Sequence, residues 1–150
     1  VLLSRPLYGW ENVEGTINNE GPYAFLKNDV VYLTYSGGAA NGYTYALGLL
    51  TAKIEDDLLK KSSWFKRSTP VLSFYSVKGE YGPGHNSFYK SEDNDLMIAY
   101  HAEMAIDEHL RCDAIRRVHF RKDGTPDFAI SAEADFDDSL INISTRISIS

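Results

Sequence analysis

The stretch that decides the fold reads Asn18-Asn19-Glu20-Gly21-Pro22-Tyr23, and the apolar segment Ala24-Phe25-Leu26 follows at once. Glycine permits backbone dihedrals that other residues avoid, and proline locks φ, so Gly21-Pro22 predicts a fixed bend. The aromatic and apolar residues after the bend are typical of a strand. Glu20 is therefore expected just before the start of a strand, on backbone of restricted conformation. This position suits a catalytic carboxylic acid whose orientation matters, and it also suits a solvated glutamate in a strand-initiating turn.

A second stretch has the same design and reads Tyr81-Gly82-Pro83-Gly84-His85-Asn86-Ser87-Phe88. It again places a Gly-Pro bend and then a polar side chain, here His85, ahead of a strand that runs through Tyr89. A lone histidine is more often structural than functional, but a histidine held by Gly-Pro-Gly is a better candidate. Two similar Gly-Pro stretches at strand starts favour a radially repeated fold, in which the first strands of the repeats begin near a common centre.

Strand patterns recur about every ten residues along the chain, with tight turns between them. The polar link Lys27-Asn28-Asp29 joins two of these strands and is a hairpin signal. Residues 54–61 have helical composition, which predicts one or two helical turns, and residues 102–111 also contain good helix formers. The pattern predicts an all-β sandwich, barrel or propeller. Strands are expected at residues 23–26, 30–36, 43–52, 64–72, 96–101, 113–120 and 141–149.

Composition narrows the class of protein. The chain has 150 residues, which predicts one domain, and its net charge of -6 with a pI near 5.1 argues against a nucleic-acid partner. No apolar run approaches the roughly 20 residues of a membrane span, so no membrane partner is expected. Cys112 is the single cysteine, which excludes an internal disulfide and a cysteine-based metal site. No signal-like segment is visible, which favours the cytoplasm, but the chain begins with Val1, so its true start and its compartment stay open.

Motifs for several kinds of chemistry are missing from the sequence. It has no His-Glu-x-x-His run, its four histidines show no metal-ligand spacing, and no Gly-x-Ser-x-Gly elbow occurs. What remains is carboxylate chemistry beside aromatic side chains. Glycoside hydrolysis is the reaction class that most naturally uses this combination.

Four blocks, taken in order, carry a resemblance to a known family. Together they cover roughly residues 10–128, and they resemble the second half of a glycoside hydrolase family 43 catalytic domain, the arabinofuranosidase and β-xylosidase group. The blocks are Asn19-Glu20-Gly21-Pro22-Tyr23; Val31-Tyr32-Leu33-Thr34-Tyr35-Ser36 with Leu47-Gly48-Leu49-Leu50-Thr51-Ala52; Tyr81-Gly82-Pro83-Gly84-His85-Asn86-Ser87-Phe88; and Ala99-Tyr100-His101-Ala102 with Arg116-Arg117-Val118-His119-Phe120 and Asp123-Gly124-Thr125-Pro126.

The resemblance implies a fold and a place for this chain within it. The expected fold is an all-β, five-bladed β-propeller built of four-stranded antiparallel blades, with the active site in the central depression. Residues 1–150 would form its C-terminal portion, roughly the last two to three blades. The tail, residues 129–150, would close the ring or begin a further β segment. The resemblance also makes residues 102–111 a loop, against their helical propensity.

The resemblance also implies roles for three residues. Family members use an inverting mechanism with a general base Asp, an Asp that tunes and orients the acid, and a general acid Glu, which Glu20 matches. His85 matches a histidine near the propeller centre that contacts the substrate region or a central water or calcium ion; no other cofactor is required. Arg116 is the candidate for the arginine that reaches the sugar, with Arg111 and Arg117 as alternatives.

Both family aspartates lie upstream of anything that resembles this sequence. Glu20 alone can protonate a leaving oxygen but cannot activate the attacking water. The expected partners are therefore an oligosaccharide substrate and either the N-terminal blades or another copy of the chain, which would complete the ring. The sequence does not choose between arabinofuranosyl and xylosyl residues of plant-polysaccharide fragments. A non-catalytic carbohydrate-binding module and a propeller-type interaction module are the alternatives.

Overall fold

The computed structural model describes residues 1–13, 15–106, 108–130 and 147–148. Within these ranges the chain is all-β, and its helical segments are two 3-10 turns, Gly9–Glu11 and Lys61–Ser63. No helix in the described ranges is long and apolar enough to cross a membrane. The all-β fold class predicted from the sequence is confirmed. The strands are β1 (Asn19–Lys27), β2 (Val30–Gly37), β3 (Ala46–Lys53), β4 (Phe65–Lys66), β5 (Tyr81–Lys90), β6 (Leu96–Glu103), β7 (Arg111–Arg117), β8 (His119–Phe120) and β9 (Pro126–Asp127).

The strands form antiparallel sheets in which neighbours along the chain are also neighbours in space. The first sheet has the order β1-β2-β3-β4, as expected for a four-stranded blade. The second sheet has the order β5-β6-β7 in the described part of the chain, and β8 and β9 form a separate hairpin. The number of blades in the complete ring stays a prediction.

The hairpin between β1 and β2 forms at the predicted link. Lys27 pairs with Val30, so Asn28 and Asp29 make a two-residue loop. Their φ angles of 49° and 61° are both left-handed, the conformation in which a tight turn matches the twist of the flanking strands. Asn and Asp accept this conformation more readily than most residues.

The two Gly-Pro bends lie inside strands and not ahead of them, which corrects the expectation from the sequence. Glu20 already pairs with Ser36 on β2, and the register then shifts between Glu20 and Tyr23. Gly21 in this bulge has φ 53°, and Pro22 has no N–H to donate, so both residues suit the unpaired positions of a bulge. The β5 strand has corresponding register shifts on both sides of Gly84.

A hydrophobic core fills the space between the two larger sheets. Leu47 and Leu72 meet Phe88, Ile98 and Phe128 there, all of them buried. Phe25, which is packed against this cluster, has its ring centroid 4.6 Å from that of Phe88, so an aromatic contact joins β1 to β5. This packing fixes the first strand of one sheet beside the first strand of the next.

Several predicted elements differ from the observed ones. Residues 54–61 form turns and not an α-helix, and one 3-10 turn, Lys61–Ser63, follows. The strand expected at residues 64–72 is reduced to β4 and a single bridge between Leu47 and Leu72. A loop in place of a helix is confirmed for the described residues between β6 and β7, but it is shorter than residues 102–111, because β6 runs on to Glu103 and β7 begins at Arg111. Most of the strand expected at residues 141–149, and with it the role of the tail, lies outside the described residues.

Candidate active site

Glu20 is partly buried on β1, next to the bulge. The Tyr45 hydroxyl donates a hydrogen bond to its Oε1 at 2.7 Å. Residue Glu20 also lines a cleft of about 250 Å³ together with Pro22, Leu33 and Tyr35. The bulge and the Tyr45 bond together fix where this carboxylate lies and how it is turned.

His85 lies against Gly21, the residue that follows Glu20. Its backbone N–H donates to Ser36 Oγ at 2.8 Å, and Ser36 is the strand partner of Glu20. Its imidazole packs on Gly21, because a Cβ on Gly21 would lie 3.2 Å from Cγ and Nδ1 of the ring. His85 has a left-handed φ of 51°, so the irregular backbone of β5 aims this side chain. A side chain on Gly21 would therefore require the His85 ring to shift by a few tenths of an ångström.

Tyr45 supports Glu20 from the interior. Its side chain is fully buried, and its hydroxyl donates a hydrogen bond to Glu20. Burial and the neighbouring Glu20 carboxylate raise the pKa of Tyr45, so the phenol keeps its proton throughout the ordinary pH range. Its ring stacks on that of His101 at 5.7 Å between centroids and 8° between planes.

His101 completes this support and was not singled out from the sequence as a site residue. It lies opposite Gly84 in the pairing of β6 with β5. Burial first, and then the charges of Arg111 and His85, lower the pKa of His101 to about 4. The ring is therefore neutral near pH 7 and adds no positive charge beside Glu20. Its Nε2 is buried and has no hydrogen-bond partner in the described part of the chain.

The structure does not bring Arg116 to Glu20 and His85. The Arg116 guanidinium pairs with Glu80, and its Nε donates to the Tyr100 hydroxyl at 2.7 Å. Burial opposes the charge of Arg116, but Tyr100 and Glu80 outweigh it and raise the pKa. Arg116, Glu80 and Tyr100 thus form a cluster that does not include Glu20. A contact between Arg116 and the sugar stays a prediction, and these hydrogen bonds do not support it.

Arg111, one of the two alternatives, lies closer to the candidate site. It donates to the Ala40 carbonyl and, at 3.0 Å, to Asn41 Oδ1, and its charge acts on both His101 and Tyr45. Strand alternation explains the difference, since residues 111, 113 and 115 share one face of β7 and residue 116 lies on the other. Arg117, the second alternative, pairs with Asp95 at 3.2 Å.

A larger cleft of about 410 Å³ adjoins this group of residues on the side of His85. Imidazole, hydroxyl and carboxylate groups alternate with small apolar side chains along its wall, and this mixture suits a small polar ligand. Its lining residues are His85, Ser87, Ala99, Tyr100, His101, Asp113 and Ile115.

Comparison with known proteins identifies the family. Residues 4–126 match the family model described as Glycosyl hydrolases family 43. The chain belongs to glycosyl hydrolase family 43. The matched range includes Glu20, His85, Tyr45 and His101, so the candidate site lies within the family domain.

Family 43 relatives include named arabinofuranosidases. The chain is 35% identical over 138 residues to "Alpha-L-arabinofuranosidase B" of Pyricularia oryzae and 39% identical over 137 residues to "Extracellular exo-alpha-(1->5)-L-arabinofuranosidase" of Streptomyces avermitilis. These alignments cover 87% and 85% of this chain but 28% of each relative. The chain therefore spans less than a third of the length of these curated relatives.

Solved structures of family 43 share the fold. The α-L-arabinofuranosidase from Lactobacillus brevis superposes with a TM-score of 0.78 at 34% identity, over 91% of this chain and 44% of that one. A thermostable family-43 glycoside hydrolase gives 0.70 at 29% identity, over 85% of this chain and 41% of that one. The described sheets are thus a portion of the family's β-propeller.

A central calcium ion near His85 stays a prediction. Calcium prefers six to eight oxygen ligands. Across the described ranges, no group of three or more His, Cys, Asp or Glu side chains could hold a metal ion. The described residues alone therefore do not fit a calcium site. A water molecule beside His85 would need fewer protein ligands than a calcium ion does.

Replacement of Gly84 by Ala should disturb the packing around Tyr45 and lower the stability of the fold. A Cβ there would lie 2.1 Å from Cε1 of Tyr45, so the buried ring or the β5 backbone must move. Overpacking of this kind costs about 1–3 kcal/mol of unfolding free energy, which corresponds to a fall in Tm of roughly 2–12 °C. Thermal unfolding followed by circular dichroism measures it. Gly9→Ala is the matched control, because nothing lies within 4 Å of that Cβ. Equal Tm values for the two variants would contradict the close packing of Tyr45.

Proposed function

We propose that this chain carries the proton-donating part of the active site of an inverting glycosidase that removes terminal arabinofuranosyl residues from plant-polysaccharide oligosaccharides. Glu20 is the general acid in this proposal. The observation that carries it is the position of this carboxylate, which is held through Oε1 by the buried Tyr45 and precedes Gly21, the residue on which the His85 ring packs.

The surroundings of Glu20 suit the transfer of a proton to a glycosidic oxygen. His101 behind Tyr45 is neutral, and Arg111 is a permanent cation whose charge acts on both of these residues. Arg111 lies on the face of β7 that the His85 cleft shares, through Asp113 and Ile115. We assign it, in place of Arg116, the contact with sugar hydroxyls, since guanidinium groups present several donors in a fixed plane.

We propose that the base and the second aspartate come from outside this chain, as the family resemblance implies. An inverting enzyme places its base about 6.5–9.5 Å from the acid, with the attacking water between them. The upstream blades or a second copy of the chain would supply both groups. A supplied base on the far side of the sugar would activate water while Glu20 protonates the leaving oxygen.

Arabinofuranosyl is preferred to xylosyl on the strength of the relatives. Two relatives named as arabinofuranosidases are 35% and 39% identical to this chain, whereas the solved xylan β-1,4-xylosidase from Bacillus halodurans is 19% identical and supports the fold alone. The preference is thus inherited from similarity and has to be measured.

The test is the release of nitrophenol from 4-nitrophenyl α-L-arabinofuranoside and from 4-nitrophenyl β-D-xyloside, over a range of chain concentrations. We expect the arabinofuranoside to be hydrolysed at least about tenfold faster, the scale on which a pocket separates similar substrates. A rate that rises faster than the chain concentration would show that a second copy supplies the base. Faster hydrolysis of the xyloside would overturn the sugar assignment. If a preparation that includes the upstream segment hydrolyses neither substrate, the proposal that the protein is a glycosidase would be overturned.

A further inference from the structure

The Glu20 carboxylate accepts a hydrogen bond from a fully buried side chain. Tyr45 donates to Glu20 Oε1 at 2.7 Å, and the N–H of His85 donates at 2.8 Å to Oγ of Ser36, the strand partner of Glu20. Ser36 and Tyr45 are both 0% exposed, so water does not compete for these bonds. Tyr45 was not among the site residues that the sequence pointed to.

The direction of the bond between Tyr45 and Glu20 is fixed by its two partners. Tyr45 has one proton, and an ionised carboxylate can only accept, so that proton lies on the bond to Glu20. A hydrogen bond in a buried site is electrostatically stronger than one in water. The bond therefore keeps Oε1 of Glu20 in the role of acceptor.

We propose that Tyr45 is a positioning residue that occupies Oε1 of Glu20 and leaves Oε2 as the oxygen that carries the transferable proton. This inference rests on the proposed function, in which Glu20 is the acid. In the reaction, the Oε2–H bond breaks as a bond forms between that proton and the glycosidic oxygen. The electron pair stays on Glu20, whose Oε1 still accepts from Tyr45. The same hydrogen bond thus serves the acid before and after it gives up its proton.

Tyr45 is itself held without freedom to turn away. Its ring stacks on His101 on one side, and Gly84 approaches it so closely that no side chain fits there. The titratable and charged groups around Glu20 and this support are Tyr45 itself, His85 on β5, His101 on β6, and Arg111 and Asp113 on β7. The Tyr45→Phe variant keeps all of these groups except the Tyr45 hydroxyl. Its titration therefore measures the effect of that hydroxyl alone.

The test is a pH titration of the Glu20 carboxyl carbon by NMR, in the whole chain and in Tyr45→Phe. Glu20→Gln identifies the signal by removing it. A hydrogen bond to a charged group stabilises the charge, so its loss should move the midpoint of the Glu20 signal upward by about one to two pH units. Where the chain turns over substrate, the alkaline limb of the kcat/KM profile should move in the same direction. If the Tyr45 ring only packs, Tyr45→Phe should change neither the midpoint of the Glu20 signal nor the alkaline limb of the kcat/KM profile.

Two further variants make the result decisive. Tyr32→Phe is the matched control, since Tyr32 is also buried but donates to the Gly124 carbonyl at 3.0 Å and should leave the midpoint unchanged. Gly84→Ala places a Cβ 2.1 Å from Cε1 of Tyr45, so it displaces this ring and should also move the midpoint upward; it replaces Tyr45→Phe if that variant does not fold. A midpoint unmoved in both Tyr45→Phe and Gly84→Ala would overturn the proposal. Failure of the proposed function is a separate result, because Glu20→Gln would then keep full activity whatever the titration shows.

Discussion

Replacement of Glu11 by Ala is expected to lower the free energy of unfolding by about 3–5 kcal/mol. The Glu11 side chain is 0% exposed and pairs with Lys66, whose side chain is 14% exposed. It also accepts hydrogen bonds from the backbone N–H groups of Leu7 and Tyr8 and from the Tyr35 hydroxyl. Removal of the carboxylate leaves the Lys66 ammonium without its partner and frees the N-terminal segment from the first sheet.

Urea unfolding of the two proteins measures this loss directly. Glu55→Ala is the matched control, because Glu55 also pairs with a lysine, Lys53, but with both side chains well exposed. Exposed pairs of this kind contribute about 0–1 kcal/mol. A loss in Glu11→Ala no larger than that in Glu55→Ala would contradict a structural role for the buried pair.

The same pair predicts how stability depends on pH. Burial opposes the charge of Glu11, but the bonds from Lys66, Tyr8, Tyr35 and Asn19 outweigh it and lower the pKa below the usual 4.5. A pKa that is lower in the folded state means that the contribution is fully present above about pH 4.5 and is lost as the pH falls through the folded value. Glu11→Gln should therefore lose less stability than the wild-type chain as the pH falls below about 4.5.

Local sequence signals predicted the features that depend on neighbouring residues. The Asn28-Asp29 turn is one such feature, because two residues that tolerate left-handed φ between apolar runs determine a hairpin. The approach of the two Gly-Pro stretches is another, since the His85 ring of one packs on Gly21 of the other. The Gly-Pro bends were nevertheless placed ahead of the strands, because a bulge that continues a strand and a turn that precedes one use the same residues.

Features that depend on strand register could not be read from the sequence. Ser36, Tyr45 and His101 surround Glu20 only because β2 and β6 pair in one register, and no local pattern distinguishes them from core residues. The choice between Arg111 and Arg116 depends on which face of β7 each occupies. A shift of one residue exchanges the two faces, so spacing alone could not decide it. The pair of Glu11 with Lys66 joins two segments that are distant in the chain and carries no motif.

Replacement of Glu20 by Gln is expected to slow the hydrolysis of a methyl or oligosaccharide arabinofuranoside by about 10²–10⁴-fold in kcat. Such leaving groups must be protonated as the glycosidic bond breaks, and glutamine cannot supply the proton. A 2,4-dinitrophenyl arabinofuranoside leaves as a stable phenolate that needs little protonation, so its hydrolysis should be much less affected. The side-chain shape is conserved, and the amide oxygen can still accept from Tyr45.

The ratio of these two losses is the measurement that tests the acid role of Glu20 most directly. It is made in a preparation that includes the segment supplying the base, with Glu92→Gln as the control, since Glu92 lies exposed in the turn between β5 and β6. The proposed mechanism predicts a large loss for the alkyl or sugar leaving group, a small loss for dinitrophenyl, and none in the control. Equal losses for both leaving groups, or full activity of Glu20→Gln with the sugar leaving group, would contradict it.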